Sequence, residues 1–261
     1  MQTFRFNPWR YLAALLLAGG LSLTACDDDD ENPAADPVTT FGDATAVGNG
    51  SARSFVTVDA SGNPAEIGLR LTEAGLTGLP AGSSGPPPWY VLNLPANTAK
   101  LPFNHISLDW AVQGHEPPGV YNTPHFDVHF YMATMAERTQ IAPNDSRGEV
   151  LPEARLLPPG YVAGPGVVPM MGKHWTDPAG HEFHGMPFTQ TFVVGSFNGA
   201  VTFWEPMIDK AYLESKKTET FGLPQPQTYA KSGVYFPTKY TIGYDASTRE
   251  YVVKMHDMVL R

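Results

Sequence analysis

The segment Pro124-His125-Phe126-Asp127-Val128-His129-Phe130-Tyr131-Met132 alternates strictly between polar and apolar side chains. A β-strand turns successive side chains to opposite faces. His125, Asp127, His129 and Tyr131 therefore share one face, while Phe126, Val128, Phe130 and Met132 share the other. The apolar face belongs to a core. The polar face collects groups that coordinate metals, titrate or form hydrogen bonds, so this strand is where a site is expected.

The flanking sequence carries the same signature. Ile106-Ser107-Leu108-Asp109-Trp110-Ala111-Val112 alternates and leads through a Gly114-to-Gly119 turn into the central strand, so the two are expected to be antiparallel neighbours. Ser54 to Val58 and Glu66 to Leu71 predict a hairpin around Ser61-Gly62-Asn63-Pro64. Trp89 to Leu94 reads as a further strand. Phe188 to Gly195 and Ala200 to Trp204 predict a hairpin whose Asn198-Gly199 pair suits a tight turn, ended by Glu205-Pro206-Met207. Tyr240 to Tyr244 and Glu250 to Met255 form the last hairpin. Helical signals are weak: Met135 to Ile141 predicts a turn or two, and Ile208 to Lys216 a short helix. Asn144 to Gly166, rich in Pro and Gly but retaining apolar residues, reads as ordered loop. With 25 Gly, 25 Pro and only 16% charged residues, the chain is expected to be all-β, an antiparallel barrel or sandwich with one or two short helices.

The N-terminus reads differently. Arg5 and Arg10 precede the apolar run Tyr11–Leu23, which is shorter than the about 20 residues of a membrane span. It ends in Leu23-Thr24-Ala25-Cys26, which resembles the lipobox of bacterial lipoproteins, and Cys26 is the only cysteine. The organisation expected is a signal peptide at 1–25, a lipidated acidic tether at 26–50 and one β-rich domain at 51–261. Asp27 to Glu31 are five adjacent acids that stay solvated. The expected location is the bacterial envelope, on a lipid anchor, with inner membrane, outer membrane and cell surface left open. A net charge of −9, made more negative by loss of the two leader arginines, provides no basic stripe for nucleic acid.

Six of the eight histidines lie between His115 and His184. Imidazole with carboxylate suits Zn, Fe, Mn, Ni or Cu. Side chains two apart on a strand face are about 6.6 Å apart, and those four apart about 13 Å. One ion therefore takes Asp127 with His125, or Asp127 with His129, and not both histidines. The remaining ligands must come from elsewhere: His174 and Glu205 are the first candidates, with His115, Glu116 and Tyr131 behind them. His181-Glu182-x-His184 lacks the spacing of a helical zinc motif and reads as polar loop, while His105 and His256 read as structural.

Four motifs carry a family resemblance: Gly114-His115-Glu116-Pro117, Pro124-His125-Phe126-Asp127-x-His129-Phe130-Tyr131, Gly172-x-His174-Trp175 and Phe203-Trp204-Glu205-Pro206-Met207. With them the chain resembles, over roughly 53–213, a small and largely uncharacterised bacterial family. Its structural representative is a Thermus protein governed by an extracytoplasmic-stress sigma factor and its anti-sigma factor. The resemblance implies all-β protomers in a ring-like homo-oligomer with no established activity. Two readings of function follow: a β-domain binding a divalent metal or small ligand, or an oligomeric envelope protein whose His/Asp face is an architectural hydrogen-bond network. A third is a carbohydrate binder using Trp89, Trp110 and Trp175. The lipobox carries its own test. Cys26→Ser is expected to move the protein from the membrane fraction to the soluble fraction, and an unmodified Cys26 in the intact mass of membrane-extracted protein would contradict lipidation.

Overall fold

The computed structural model describes residues 36–82, 89–96, 98 and 100–261. The leader, Cys26 and the acidic run lie outside them. In chain order the elements are β1 (Val38–Phe41), β2 (Thr45–Val47), β3 (Gly50–Val58), β4 (Pro64–Thr72), β5 (Trp89–Asn93), β6 (His105–Ala111) and β7 (His125–Tyr131). There follow α1 (Met135–Arg138), β8 (Val162–Ala163), β9 (Lys173–Thr176), β10 (Gln190–Phe197), β11 (Ala200–Asp209), α2 (Lys210–Glu214), β12 (Glu219–Gly222), β13 (Tyr235–Asp245) and β14 (Glu250–Leu260).

The strands form two open antiparallel sheets. One runs β1-β3-β4-β14-β13-β12 with β2 paired to β3; the other runs β5-β6-β7-β11-β10-β9-β8. No barrel closes among the described residues, so the architecture is the sandwich of the two expected forms. A single apolar core draws from both sheets: Val56, Ile67, Leu69, Ile242, Val253 and Met255 from the first, and Ile106, Leu108, Phe126, Val128, Phe130 and Trp204 from the second. The alternation of β6 and β7 produces this directly, since both strands place their apolar sets toward the first sheet.

Several boundaries differ from the sequence reading; the last hairpin, for instance, begins at Tyr235 and runs on to Leu260. Residues 38–47, assigned to the tether, form β1 and β2, which pair with β3 and extend the domain N-terminally. The β10–β11 hairpin does not end at Glu205-Pro206-Met207. β11 continues to Asp209, because Met207 and Ile208 are buried and pair with Asp127 and Phe126 of β7. For the same reason Ile208 is strand, and the helix starts only at Lys210, where the Asp209 carboxylate accepts from the Tyr212 amide at 3.1 Å. Pro206 has no N–H to give, and the β7–β11 pairs step from Trp204↔Phe130 to Met207↔Asp127.

The second sheet is also covered on its outer face. A smaller apolar cluster of Tyr121, Tyr131, Phe188, Val193, Phe203 and Met207 packs there. Every residue of β7 is consequently buried. Phe126, fully buried with its ring 4.9 Å from that of Trp110, tests the inner layer. Phe126→Ala should cost about 3–5 kcal/mol in denaturant unfolding, and a cost below about 1 kcal/mol would contradict the assigned core.

Candidate metal centre

The outer face of the second sheet has β7 at its middle. β6 sets Asp109 opposite Asp127, Ser107 opposite His129 and His105 opposite Tyr131. On the other side β11 brings Met207 opposite Asp127 and Phe203 opposite Tyr131, so Glu205, between them, reaches His129. β9 adds His174, paired with Gly195 of β10. His115 arrives from the loop before β7. Its backbone bridges to Tyr121, and Gly114 makes this possible: at φ +70° its Cα is so near that a Cβ would stand 1.8 Å from the Tyr121 carbonyl oxygen.

The candidates sort into two groups. His115, His125 and Asp127 converge in one; His129, His174 and Glu205 converge in the other. Asp127 therefore joins His125 and not His129, as the strand spacing allows. The side chain of Glu116 belongs to neither group.

In the first group, His125 Nδ1 lies 2.7 Å from the Thr123 carbonyl oxygen and His115 Nδ1 lies 2.8 Å from that of Glu116. A carbonyl only accepts, so each Nδ1 carries a proton, and the neutral form of either ring would have its lone pair at Nε2. Both Nε2 atoms point at one carboxylate: His125 Nε2 is 3.1 Å from Asp127 Oδ1 and His115 Nε2 is 3.4 Å from Asp127 Oδ2. Among the described residues His125 Nε2 and Asp127 Oδ1 have no hydrogen-bond partner. Burial alone would raise the Asp127 carboxyl, but His125 and His115 hold it below the usual carboxylate range. Burial likewise opposes protonation of His115, but Asp127 outweighs it and raises the imidazole above its ordinary value.

In the second group, His129 lies between two carboxylates. Its Nδ1 is 3.3 Å from Asp109 Oδ2 and its Nε2 is 3.3 Å from Glu205 Oε1, with His174 Nε2 4.0 Å from Glu205 Oε2. Ser107 Oγ donates to the other Asp109 oxygen at 2.6 Å. Here burial outweighs pairing. It pushes Asp109 up to about 7 and, with Asp127 and Asp109 adding to it, Glu205 well above the carboxylate range. It also drives His174 down to about 4 and His129 well below its ordinary value. Both imidazoles are thus neutral, the form that binds metals.

Tyr131 and Arg138 close one end of the face. The capping box of Thr134 and Glu137 fixes α1, whose last residue, Arg138, is buried over the Tyr131 ring at 3.6 Å from its centroid. Arg138 Nη1 donates to His105 Nε2 at 2.9 Å, which gives His105 the structural role expected of it. His256, also read as structural, bonds to Thr241 and Asp257. His181 and His184 sit on a one-turn 3-10 helix and face backbone carbonyls of Pro187 and Pro178. Trp110 and Trp175 are buried core residues with their indole N–H groups engaged by Pro80 and Ser196, which removes two of the three rings of the carbohydrate reading.

Asp109, Ser107 and Arg138 escaped the sequence reading. The signal for the first two was present: on a strand antiparallel to β7, the polar alternates of Ile106-Ser107-Leu108-Asp109 must share its polar face. Arg138 had none, since its burial depends on where α1 docks.

Among known proteins, residues 59–110 match the family model TTHB210-like, described as hypothetical protein TTHB210. The match lies within the span of the expected resemblance, reaches into β6 and ends before β7. No curated protein matches the chain, and no solved structure matches it.

Gly195 holds the second group in shape. A Cβ there would stand 2.0 Å from the ring of Phe203, which packs edge-on against His129 at 4.7 Å and His174 at 5.2 Å. Gly195→Ala is expected to force Phe203 aside and lower the unfolding free energy by about 1–3 kcal/mol. An unchanged melting temperature would show that the ring is not constrained.

Proposed function

We propose that this protein is a lipid-anchored envelope protein whose β-domain binds a divalent transition metal at the polar face of β7, the outer ion held by His115, His125 and Asp127. The observation that carries the reading is the convergence of two Nε2 lone pairs on one buried carboxylate, with each Nδ1 tied to a backbone carbonyl. A backbone bond at the far nitrogen fixes tautomer and ring orientation in metal-binding histidines. The contacts of 3.1 and 3.4 Å match the about 3.3 Å between neighbouring ligands around a tetrahedral ion with bonds of about 2.0–2.1 Å. Two lone pairs facing each other across that distance repel unless a cation or a proton lies between them.

The architectural reading has its own support at the other end of the face, where Arg138, His105 and Asn104 form a hydrogen-bonded chain. Its hydrogen bonds do not include the β7 histidines. A structural network satisfies its buried polar atoms, whereas unpartnered atoms here include His125 Nε2, Asp127 Oδ1, both ring nitrogens of His129 and Glu205 Oε2. Association of the chain with itself and anchoring through Cys26 complete the proposal. The first rests on the family resemblance and on the exposed edge strand β1, the second on the lipobox.

Calorimetry of the full chain with Zn2+ tests the outer site. Wild type should bind, Asp127→Asn and His125→Ala should lose that ion, and His129→Ala should retain it. Protons compete for the imidazoles. With His115 raised, affinity should be complete at high pH and start to fall above about 6.5 as the solution is acidified. A wild type that copurifies with no metal and takes up none would overturn the reading in favour of the architectural one.

A further inference from the structure

His125 and His129 are four residues apart on one strand face, about 13 Å in extended backbone, and each has gathered its own partners. The outer group accounts for His125. It leaves His129, Glu205 and His174 unused, although His129 and Glu205 are each only 1% exposed, both ring nitrogens of His129 and Glu205 Oε2 are unpartnered, and that Oε2 lies 4.0 Å from His174 Nε2. Burying polar atoms of His129 and Glu205 without hydrogen bonds is costly in either protonation state, and a cation held between them supplies the missing partner.

We propose that a second divalent transition-metal ion binds His129 Nε2, His174 Nε2 and a Glu205 oxygen, making the face a two-ion centre with an enclosed inner site and an outer site reached through His115. The proposal rests on the reading of this face as a metal centre and adds the second ion and its ligands. Glu205 Oε1 lies 3.3 Å from His129 Nε2 and Oε2 lies 4.0 Å from His174 Nε2, and one ligand atom from each of the three residues lies within 4.8 Å of the others, a spread that one ion can gather. The far nitrogen of His129 faces Asp109, whose other oxygen is held by Ser107, giving the carboxylate–histidine–metal arrangement that orients a ligand and raises its basicity.

Each group supplies two imidazoles and one carboxylate. That donor set favours Zn, Fe, Mn, Co or Ni over the all-oxygen ions Ca and Mg. It also leaves each divalent ion with open positions and one uncompensated positive charge, so water-derived hydroxide or a small anion is the expected additional ligand. The sites differ in access. Phe203 covers both inner imidazoles and only the His174 side chain, 24% exposed, borders solvent, whereas His115 of the outer site is 41% exposed. The inner ion should therefore exchange slowly and the outer one quickly.

The test is metal stoichiometry on the full chain, loaded with Zn2+ or Co2+ and measured by elemental analysis and by the d–d absorption of the Co2+ form. Wild type should hold two ions. Glu205→Gln and His174→Ala should each hold one, retaining the rapidly chelated ion, and Asp127→Asn should hold one, retaining the slowly chelated ion. His174 is half-buried, so its variant keeps the test available should Glu205→Gln fail to fold, with circular dichroism as the check. One ion in wild type, lost in Asp127→Asn and kept in the His174 and Glu205 variants, overturns the second site and leaves the outer one standing. No ion in wild type overturns both.

Discussion

The structure depends on one constraint: β7 is buried on both faces, yet one of those faces is polar. The strand's apolar half is ordinary core. Its polar half, with Asp109 and Glu205 from the neighbouring strands, places three carboxylates out of water beside a single buried guanidinium, Arg138. Buried charge of this kind survives only when paired, protonated or coordinated. The two ends of the face meet this requirement differently. Asp127 is kept ionised when the imidazoles turned toward it carry a positive charge, while Asp109 and Glu205 are pushed toward their neutral forms by burial.

Departures from local sequence preference concentrate around the same place. Proline is unusual in a central strand, yet Pro206 lies beside Glu205. Gly195 gives up a side chain so that Phe203 can lie across His129 and His174, and Gly114 takes a left-handed conformation so that His115 can turn inward. Each costs local stability, and each fixes the position of a candidate ligand. Such conflicts between local rules and the global fold are expected at functional sites.

Much of this was legible from alternation alone. The period of two in β6 and β7 fixes which residues share a face, and spacing along a strand separates His125 from His129 before any coordinates are known. The grouping of ligands was not legible. It depends on register across β6, β7, β11 and β9, and register is set by pairings between residues as distant in sequence as His125 and Asp209. The end of β11 was misread because Pro206 is a strong local stop signal, overridden by burial of Met207 and Ile208 between two partner strands. Arg138 carries no pattern of its own and becomes part of the face only through the docking of α1.

The central claim is that the Nε2 atoms of His115 and His125 meet a cation at Asp127. Anomalous diffraction from crystals of the full chain, collected across the absorption edge of zinc, addresses it directly. The account predicts a peak within bonding distance of His125 Nε2 and an Asp127 oxygen, with both Nδ1 atoms still on the Thr123 and Glu116 carbonyls. A map without that peak, in which the same Nε2 atoms donate hydrogen bonds to Asp127, would contradict it.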